Sequence, residues 1–533
     1  MVTNAEAVAG ALAASGVELA FGLPGGEVAA LIDACRRRGI RFLLVGHEAS
    51  AAFMAEVTGQ ITGIPGVCIA TLGPGAMNLC LGVANAFLDR QPVIALTGEV
   101  PAAKAPHFPH QRLPLTKIFQ HITKESVVLD GQNTEEEVFR CHEVARTPRA
   151  GPVHIALPSD LATEPTRRGT ASRRAAPSPP APSRDPEGLD AALDLLTGAQ
   201  TPLAVVGVGC TAADAPALRS FMTATGLPFV TTPKAKGLLP EDAAHFLGVV
   251  GGMALDRVLL DTLEAADVLL GIGFDPVECD KDWYVGRRVI NIDRAGTAEG
   301  AYRPIEVLGD ISATLSLVGE RVQRRLAWPP PLLRARRQAL TDAARARPAG
   351  RTGLSPLQTI RALREVLPRE AILTSDVGSH KYYAGQFWET YAPNTFFMSN
   401  GLSGMGYGVP AAIAAKLHFP GRPVAAVVGD GGMLMMLHNL VFMRQHDVPV
   451  VVLVFVDGSL SLIRVAQERK GYEAHGVDFP APDFARLARG FGIRGVRVGT
   501  LDRLQKAVDQ ALAESAATVI HVPVDLREYY DTV

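Results

Sequence analysis

The sequence predicts an α/β fold with three domains, each built on a central parallel sheet flanked by helices. Short, continuous apolar runs alternate with helical stretches along all 533 residues. Such runs are typical of parallel strands covered by helices on both faces. The length corresponds to about three and a half domains of ~150 residues. Two segments rich in proline and arginine, residues 163–187 and 328–353, interrupt the pattern and read as linkers.

These interruptions define the predicted domains. The first domain covers residues 1–162, the second residues 188–327 and the third residues 354–533. The strands are predicted at the apolar runs, in chain order residues 41–45, 67–71, 92–98, 153–158, 202–207, 228–232, 267–273, 288–293, 371–375, 424–430, 449–457 and 519–525.

Two local patterns refine this prediction. Thr3 and Glu6 fit a capping box that starts the first helix. The closing runs of domains one and three, residues 153–160 and 519–526, are similar. These two domains are therefore interpreted as variants of one plan, although strand ends often share composition by chance.

Composition and charge exclude several classes of protein. Lys and Arg number 52 against 54 for Asp and Glu, so the basic excess of a nucleic-acid binder is missing. The six cysteines form no Cys-x-x-Cys pair, which argues against a zinc knuckle or a disulfide framework. The longest apolar run, residues 448–456, is far shorter than the ~20 residues that span a bilayer, and the N-terminus lacks the features of a signal peptide. We expect a cytoplasmic protein without a nucleic-acid or membrane partner.

Two acidic residues follow successive apolar runs in the third domain. Asp430 lies in a glycine-rich turn between a predicted strand and a helix, and Asp457 follows the next strand. Glycines let a backbone approach an anion, and a helix N-terminus offers it unpaired N–H groups. Carboxylates from two adjacent strand ends, with phosphate oxygens and water, suit octahedral Mg²⁺. The alternative is that the glycines form a simple tight turn and that Asp457 caps a helix.

Glu48 is the acidic candidate in the first domain. It follows a predicted strand and opens an alanine-rich helix. Its carboxylate either stabilises the helix N-terminus or is held in a pocket for proton transfer. Residues 72–78, after the next strand, contain a Gly-Pro-Gly turn that could frame a flat heterocycle or only reverse the chain. Neither feature is decisive alone.

Taken together, these motifs resemble the thiamine diphosphate (ThDP) superfamily. Glu48 and residues 72–78, 375–380, 399–413 and 429–459 match its motifs in order, over nearly the whole chain. The sequence looks most similar to the acetolactate synthase-like enzymes, particularly the catabolic type that lacks FAD. The resemblance implies a pyrimidine-binding first domain, a middle domain and a diphosphate-binding third domain.

The resemblance implies ThDP and Mg²⁺ as cofactors. Glu48 would hydrogen-bond N1′ of the aminopyrimidine and favour the imino tautomer that accepts the thiazolium C2 proton. Met405 would support the V shape of the cofactor, unless it is an ordinary core methionine. Asp430, Asp457 and the Ser459 carbonyl would bind Mg²⁺; Asn is more usual at position 457, but Asp occurs in catabolic-type members. The further cofactor-binding residues that the resemblance implies are Thr71, Gly73, Asn78, Gly378, Ser379, His380, Ser403, Gly429, Gly431, Gly432 and Leu460.

The implied reaction is decarboxylation of a 2-oxo acid followed by carboligation, as in acetolactate formation. The alternatives are a simple non-oxidative decarboxylase and a carboligase that uses an acceptor other than pyruvate. Gln111 and His110 match a segment that faces the thiazolium ring, although His110 could lie in a surface loop. The implied substrate pocket also contains Phe119, Leu462, Ile463 and Ala466.

Glu27 departs from the lysine that catabolic acetolactate synthases usually carry at this position. If its side chain faces the pocket, its charge would disfavour an anionic second substrate. The alternative is that Glu27 only stabilises the start of a helix after Gly25 and Gly26.

FAD is not expected. Residues 205–212 form a loose glycine motif after a strand, but the next strand lacks the acidic residue that binds a ribose. Residues 273–283 also lack the arginine of FAD-containing relatives. The same features disfavour an NAD-linked oxidoreductase. The resemblance further implies a homodimer or homotetramer in which Glu48 and Asp430 of different chains act on one cofactor.

Overall fold

The computed structural model describes residues 1–101, 103–104, 107, 109–168, 186–322, 324–345 and 353–531. The predicted fold class is confirmed, because these residues form three six-stranded sheets whose named strands pair in parallel. Most of the predicted linker 163–187, and residues 346–352 of the linker 328–353, lie outside the described residues. The exact domain limits therefore stay a prediction.

The first sheet occupies the N-terminal part of the chain. Its strands are β1 (Leu19–Leu23), β2 (Arg41–Leu44), β3 (Gly66–Ala70), β4 (Val93–Glu99), β5 (Glu125–Val128) and β6 (Val153–Pro158). Its helices are α1 (Asn4–Ala14), α2 (Ala29–Arg37), α3 (Glu48–Thr62), α4 (Pro74–Leu88), α5 (Leu115–Phe119), α6 (Thr134–Arg146) and α7 (Ser159–Thr163). The strand order is β2-β1-β3-β4-β6-β5. The capping box predicted for α1 is confirmed, because Thr3 Oγ1 accepts from Glu6 N and Glu6 Oε2 accepts from Thr3 N.

The second sheet occupies the middle of the chain. Its strands are β7 (Pro202–Val206), β8 (Phe229–Thr231), β9 (Phe246–Val249), β10 (Val268–Ile272), β11 (Val289–Asp293) and β12 (Ile305–Leu308). The accompanying helices are α8 (Pro186–Gly198), α9 (Ala215–Thr225), α10 (Asp256–Glu264), α11 (Ile311–Arg321) and α12 (Pro330–Ala343). The strand order is β12-β11-β10-β7-β8-β9. Helix α12 falls within the predicted second linker, and Trp328 just before it is buried and donates from Nε1 to the Pro202 carbonyl at 2.6 Å.

The third sheet repeats the topology of the first. Its strands are β13 (Ile372–Ser375), β14 (Phe396–Met398), β15 (Val424–Gly429), β16 (Val451–Val456), β17 (Arg494–Arg497) and β18 (Thr518–Pro523). Its helices are α13 (Pro356–Val366), α14 (Ser379–Phe387), α15 (Gly408–His418), α16 (Asp430–Met435), α17 (Asn439–Gln445), α18 (Ser461–Arg469), α19 (Phe484–Gly490) and α20 (Leu501–Ala513). The order β14-β13-β15-β16-β18-β17 matches that of the first sheet strand for strand, as the similar closing runs predicted.

The chain divides into two compact units. The first unit comprises Met1–Pro179, Leu402–Pro420 and Met436–Val448, and the second comprises Pro180–Gly401, Gly421–Met435 and Pro449–Val533. Within the first unit, α15 packs on α3, where Phe53 and Tyr407 meet edge to face with ring centroids 5.4 Å apart. Among the described residues, no helix combines the length and the apolar character that a membrane crossing requires.

Candidate active site

The carboxyl edge of the first sheet carries two of the predicted site residues. Strands β1 and β3 are neighbours in the sheet. Strand β2 lies on the outer side of β1 and strand β4 on the outer side of β3, so the strand order reverses between β1 and β3. Ligands of parallel α/β sheets bind where the strand order reverses in this way. Glu27 follows β1 and Thr71 follows β3, and Thr71 Oγ1 donates to Glu27 Oε2 at 2.5 Å. The Glu27 side chain thus lies at this edge, on a short 3-10 turn (Gly26–Val28).

The turn after β3 also contacts Glu48. Glu48 is the first residue of α3 and is 3% exposed. Its Oε2 accepts from Asn78 Nδ2 at 2.9 Å. A Cβ atom at Gly75 would lie 2.9 Å from Thr71 Cγ2 and 3.2 Å from Glu48 Oε1, so only glycine lets the turn approach both side chains this closely. We call Glu27, Glu48, Thr71, Gly75 and Asn78 the Glu48 cluster.

The predicted pocket residues near this cluster differ in their positions. Gly73 has a φ of +59°, and a Cβ atom there would lie 3.0 Å from Gln111 Cβ, so Gln111 borders the turn. His110 and Gln111 are both exposed. Phe119 is fully buried and stacks on His154 with ring centroids 4.0 Å apart. Gln111 therefore lies beside the Glu48 cluster, whereas Phe119 belongs to the core of this chain.

The start of α3 also contacts residues that the sequence analysis did not predict as part of the site. Ser50 Oγ lies 3.0 Å from His438 Nε2 and accepts from Asn439 Nδ2 at 3.2 Å. Burial lowers the pKa of His438 to about 4, so its ring is neutral near pH 7. A Cβ atom at Gly46 would lie 2.7 Å from His438 Cβ. These partners are nearly 400 residues apart in sequence, and no local pattern could have revealed them.

The loop before α15 belongs to the same unit. Ser403 has a φ of +55°, and a Cβ atom at Gly404 would lie 3.3 Å from Leu81 Cδ1 on α4. Met405 is half-buried. The predicted cofactor residues Ser403 and Met405 thus lie in the unit that contains the Glu48 cluster.

The carboxyl edge of the third sheet carries the predicted diphosphate residues. The strand order reverses between β13 and β15, as it does between β1 and β3. Strand β13 is followed by Gly378, Ser379 and His380. A Cβ atom at Gly378 would lie 2.9 Å from His380 Cε1, and one at Gly429 would lie 3.2 Å from the same atom. Burial lowers the pKa of His380 to about 4. Ser379 Oγ and His380 Nε2 are buried and have no hydrogen-bond partner among the described residues.

The two predicted metal ligands lie side by side at this edge. Asp430 is 3% exposed, and its Oδ1 accepts a hydrogen bond from Gly431 N at 2.8 Å. Its Oδ2 accepts from Gly458 N at 2.8 Å and from Asp457 N at 3.2 Å. Asp457 accepts from Ser459 N at 3.0 Å, and its Oδ2 accepts from Ser461 Oγ at 2.7 Å. Burial raises the pKa of Asp457 to about 6, with a further increase from the charge of Asp430. Burial also raises the pKa of Asp430.

This edge fits a divalent cation that carries a phosphate group. The described residues contain no cluster of three or more His, Cys, Asp or Glu side chains arranged for a metal. The carboxylates of Asp430 and Asp457 are oxygen donors, which suit Mg²⁺ when phosphate and water complete its shell. The unpartnered Ser379 Oγ, His380 Nε2 and Ser459 Oγ provide polar atoms for that phosphate.

Asp376, which follows β13, also lies at this edge. Asp376 is 1% exposed, and a Cβ atom at Gly432 would lie 2.5 Å from its Oδ2. The sequence placed Asp376 in a motif without giving it a role. On α18, Leu462 is half-buried, while Ile463 and Ala466 are exposed. Leu460 precedes α18, and its N donates to the Val477 carbonyl.

Comparison with known families identifies the class of protein. Residues 2–124 match the N-terminal TPP binding domain of thiamine pyrophosphate enzymes, residues 189–318 match the central domain, and residues 376–522 match the C-terminal TPP binding domain. Thiamine pyrophosphate is another name for ThDP. The chain therefore belongs to the family of ThDP-dependent enzymes.

The curated relatives of the chain include several acetolactate synthases. It is 33% identical to the acetolactate synthase of Bacillus subtilis (strain 168) over 542 residues, which covers 98% of this chain and 94% of the relative. It is 30% identical to the catabolic acetolactate synthase of Raoultella terrigena, over 98% of this chain and 95% of the relative. It is also 30% identical to the acetolactate synthase isozyme 2 large subunit of Escherichia coli (strain K12), over 99% of this chain and 96% of the relative. These relatives thus include one protein that is named as a catabolic enzyme and others that are not.

Proposed function

We propose that this protein is a ThDP- and Mg²⁺-dependent enzyme that decarboxylates a 2-oxo acid and joins the remaining acyl unit to a carbonyl acceptor, as acetolactate synthases do. The observation that carries the proposal is the state of Glu48. Its carboxylate is buried, Asn78 holds Oε2, and none of the described residues hydrogen-bonds Oε1. A buried carboxylate with one oxygen held and one available suits proton exchange with a ring nitrogen.

Each predicted residue has a distinct task in this proposal. When bound, ThDP supplies a nucleophilic thiazolium carbon and an electron sink for the carbon that loses CO₂. Glu48 holds and exchanges a proton at N1′ of the aminopyrimidine, and Asn78 keeps the carboxylate in position. Asp430, Asp457 and the Ser459 carbonyl would hold Mg²⁺, and Met405 would support the cofactor from its apolar side.

A panel of 2-oxo acids tests the reaction. The purified protein, supplied with ThDP and Mg²⁺, is given each acid, and CO₂ release and product masses are recorded. We expect CO₂ together with a 2-hydroxyketone product, and acetolactate if pyruvate serves as both donor and acceptor. An aldehyde as the only product would favour the simple decarboxylase instead. The absence of CO₂ from every acid would contradict the proposal.

We further propose that the smallest active unit is a dimer whose active sites are shared between chains. The resemblance supports this arrangement, and complementation tests it. Each variant alone, Glu48→Gln or Asp430→Ala, is expected to have almost no activity at a Mg²⁺ concentration that just saturates the wild type. Random hybrid dimers would contain one intact site in half of the molecules, which restores about a quarter of the wild-type activity. If each chain built its own site, no mixture would regain activity.

We propose that the middle domain binds no FAD. The order of the second sheet reverses between β7 and β10, where a dinucleotide would bind. There, Val208 N donates to Glu278 Oε2 at 2.7 Å, and Glu278 is 4% exposed. The backbone N–H that would meet a phosphate is therefore already paired with a carboxylate of the same chain. An absorbance spectrum of the purified protein tests this, because flavin bands would contradict it.

A second candidate function differs only in the acceptor. The hydrogen bond between Thr71 and Glu27 favours a carboligase whose acceptor is not pyruvate, because it holds a negative charge at the edge where Glu48 lies.

A further inference from the structure

Glu27 is fixed at the binding edge of the first sheet. Its Oε2 accepts from Thr71 Oγ1 at 2.5 Å. A Cβ atom at Gly98, near the end of β4, would lie 2.8 Å from Glu27 Cβ, and one at Gly25 would lie 2.5 Å from Thr71 Oγ1. Glycines at both positions therefore let the ends of β1, β3 and β4 converge on this carboxylate. These contacts fix the Glu27 side chain at the edge, although the residue also lies in the first turn of the 3-10 turn Gly26–Val28.

Glu27 and Glu48 both accept hydrogen bonds from residues of the turn that follows β3. The position of a Cβ atom at Gly75 is 2.9 Å from Thr71 Cγ2 and 3.2 Å from Glu48 Oε1. Thr71 in turn donates to Glu27. The Glu27 carboxylate therefore lies by the same turn as Glu48, at the sheet edge where ligands of such folds bind.

The charge of Glu27 is not neutralised within the described part of the chain. Thr71 donates a hydrogen bond, which stabilises the carboxylate but leaves its charge in place. No Lys, Arg or His among the described residues forms an ion pair with Glu27. Glu27 is half-buried, so water screens its field less than at the open surface.

We propose that Glu27 determines acceptor specificity, selecting a carbonyl acceptor without a carboxylate, such as an aldehyde, over a second 2-oxo acid. This inference rests on the proposed decarboxylation and carboligation. When bound, the thiazolium ring would supply a positive charge that balances the carboxylate of the donor acid. The acceptor arrives after that carboxylate has left, and an acceptor anion would face Glu27 without such a partner.

The reaction balances without an oxidant or a reductant. The bond between the carboxylate carbon and the carbonyl carbon of the donor breaks, and CO₂ leaves. The electron pair of this bond forms the new bond from the donor carbonyl carbon to the acceptor carbonyl carbon. The acceptor oxygen takes up one proton from solvent, and the product is a 2-hydroxyketone.

A competition experiment tests the role of Glu27. The holoenzyme is given one 2-oxo acid donor and an equimolar mixture of an aldehyde and a second 2-oxo acid, and the ratio of the two products is measured by mass spectrometry. Because the ratio comes from one tube, it does not depend on how much of the protein is active. Glu27→Gln and Glu27→Lys are compared with Glu18→Gln, which removes the same charge from an exposed residue at the opposite end of β1.

We expect the wild-type protein and Glu18→Gln to favour the aldehyde product. Glu27→Gln should shift the ratio toward the 2-oxo acid product by about tenfold, and Glu27→Lys by more, as expected for removing or reversing one charge within several ångströms. The same ratio in all four proteins would overturn the proposal. A wild-type protein that joins only two 2-oxo acids would also overturn it, while leaving the proposed function intact.

Binding of a matched pair of small molecules separates this proposal from the proposed function. Lactamide and lactate share one skeleton, but only lactate is an anion. Titration calorimetry of the ThDP- and Mg²⁺-loaded protein gives the ratio of the two affinities, and Glu27→Gln should shift that ratio toward lactate, because the cofactor charge is the same in both proteins. If no 2-oxo acid releases CO₂, the proposed function fails, and this shift still decides whether Glu27 selects against anions. An equal ratio in wild type and Glu27→Gln would overturn the inference.

Discussion

The first and third sheets have the same strand order, yet their carboxyl edges hold acidic side chains in different ways. At the edge of the first sheet, side chains hold the carboxylates: Asn78 donates to Glu48, and Thr71 donates to Glu27. At the edge of the third sheet, backbone N–H groups of a strand-end loop hold Asp430, and Asp457 receives one backbone and one hydroxyl donor.

This difference matches two kinds of chemistry. A carboxylate that exchanges a proton must keep one oxygen available, and a single side-chain donor allows this. Carboxylates that hold a cation must keep a fixed separation, and backbone donors provide it because the loop itself sets their positions. After their proposed roles, we call the edge of the first sheet the proton-exchanging edge and that of the third sheet the metal-binding edge; the hydrogen-bond donors distinguish them.

The largest effect is expected at the proton-exchanging edge. Glu48→Gln preserves the shape of the side chain and removes the group that exchanges a proton, so turnover should fall by ~10²–10⁴-fold. ThDP affinity, measured by quenching of tryptophan fluorescence, should change much less than turnover. Glu18→Gln serves as the control for loss of one carboxylate. Turnover close to the wild-type rate in Glu48→Gln would show that another group activates the cofactor.

The next largest effect is expected at the metal-binding edge, the carboxyl edge of the third sheet. Asp430→Ala removes a proposed ligand and leaves the N–H groups of Asp457 and Gly458 without their acceptor, which costs ~1–3 kcal/mol for each buried donor. The Mg²⁺ concentration needed for half-maximal ThDP binding should rise by about 100-fold or more. Asp430→Asn keeps an acceptor oxygen and should have a smaller effect. Equal Mg²⁺ requirements in Asp430→Ala and wild type would contradict the metal role.

The sequence predicted the features that depend on local patterns. Apolar runs predicted the three parallel sheets, and the same runs placed Asp430, Asp457 and Glu48 at the ends of strands. Parallel strands present these ends at one edge of their sheet, so the proximity of Asp430 to Asp457 followed from the fold class.

Contacts between distant segments were beyond the sequence. The contact of Ser50 with His438 and that of Thr71 with Glu27 depend on which loops meet after folding. The sequence therefore left open whether Glu27 faces the binding edge or only starts a helix. For the same reason, it did not predict that residues 402–420 and 436–448 group with the N-terminal domain.

Gly75→Ala tests the close approach in the Glu48 cluster. The new Cβ atom would lie 2.9 Å from Thr71 Cγ2 and 3.2 Å from Glu48 Oε1, so the turn must shift. Overpacking of this kind costs ~1–3 kcal/mol, and we expect turnover to fall by about 10- to 100-fold. Gly26→Ala is the matched control, because a Cβ atom there would contact nothing within 4 Å. Equal losses in both variants would indicate a general effect on folding and would remove the argument for a precise turn.

The smallest effect is expected where a side chain contributes to the metal-binding edge. Ser461 Oγ donates to Asp457 Oδ2 at 2.7 Å, and Ser461→Ala leaves the backbone donors of both aspartates in place. Residues that orient a metal ligand typically change metal affinity by ~10–100-fold. We expect about tenfold weaker Mg²⁺ binding, since Ser459 N still holds Asp457. Ser316→Ala is the control, because its hydroxyl donates only to the Ser312 carbonyl on an exposed face of α11. A loss in Ser461→Ala as large as that in Asp430→Ala would mean that a side chain, and not the backbone, fixes this edge, and the contrast between the two sheets would no longer hold.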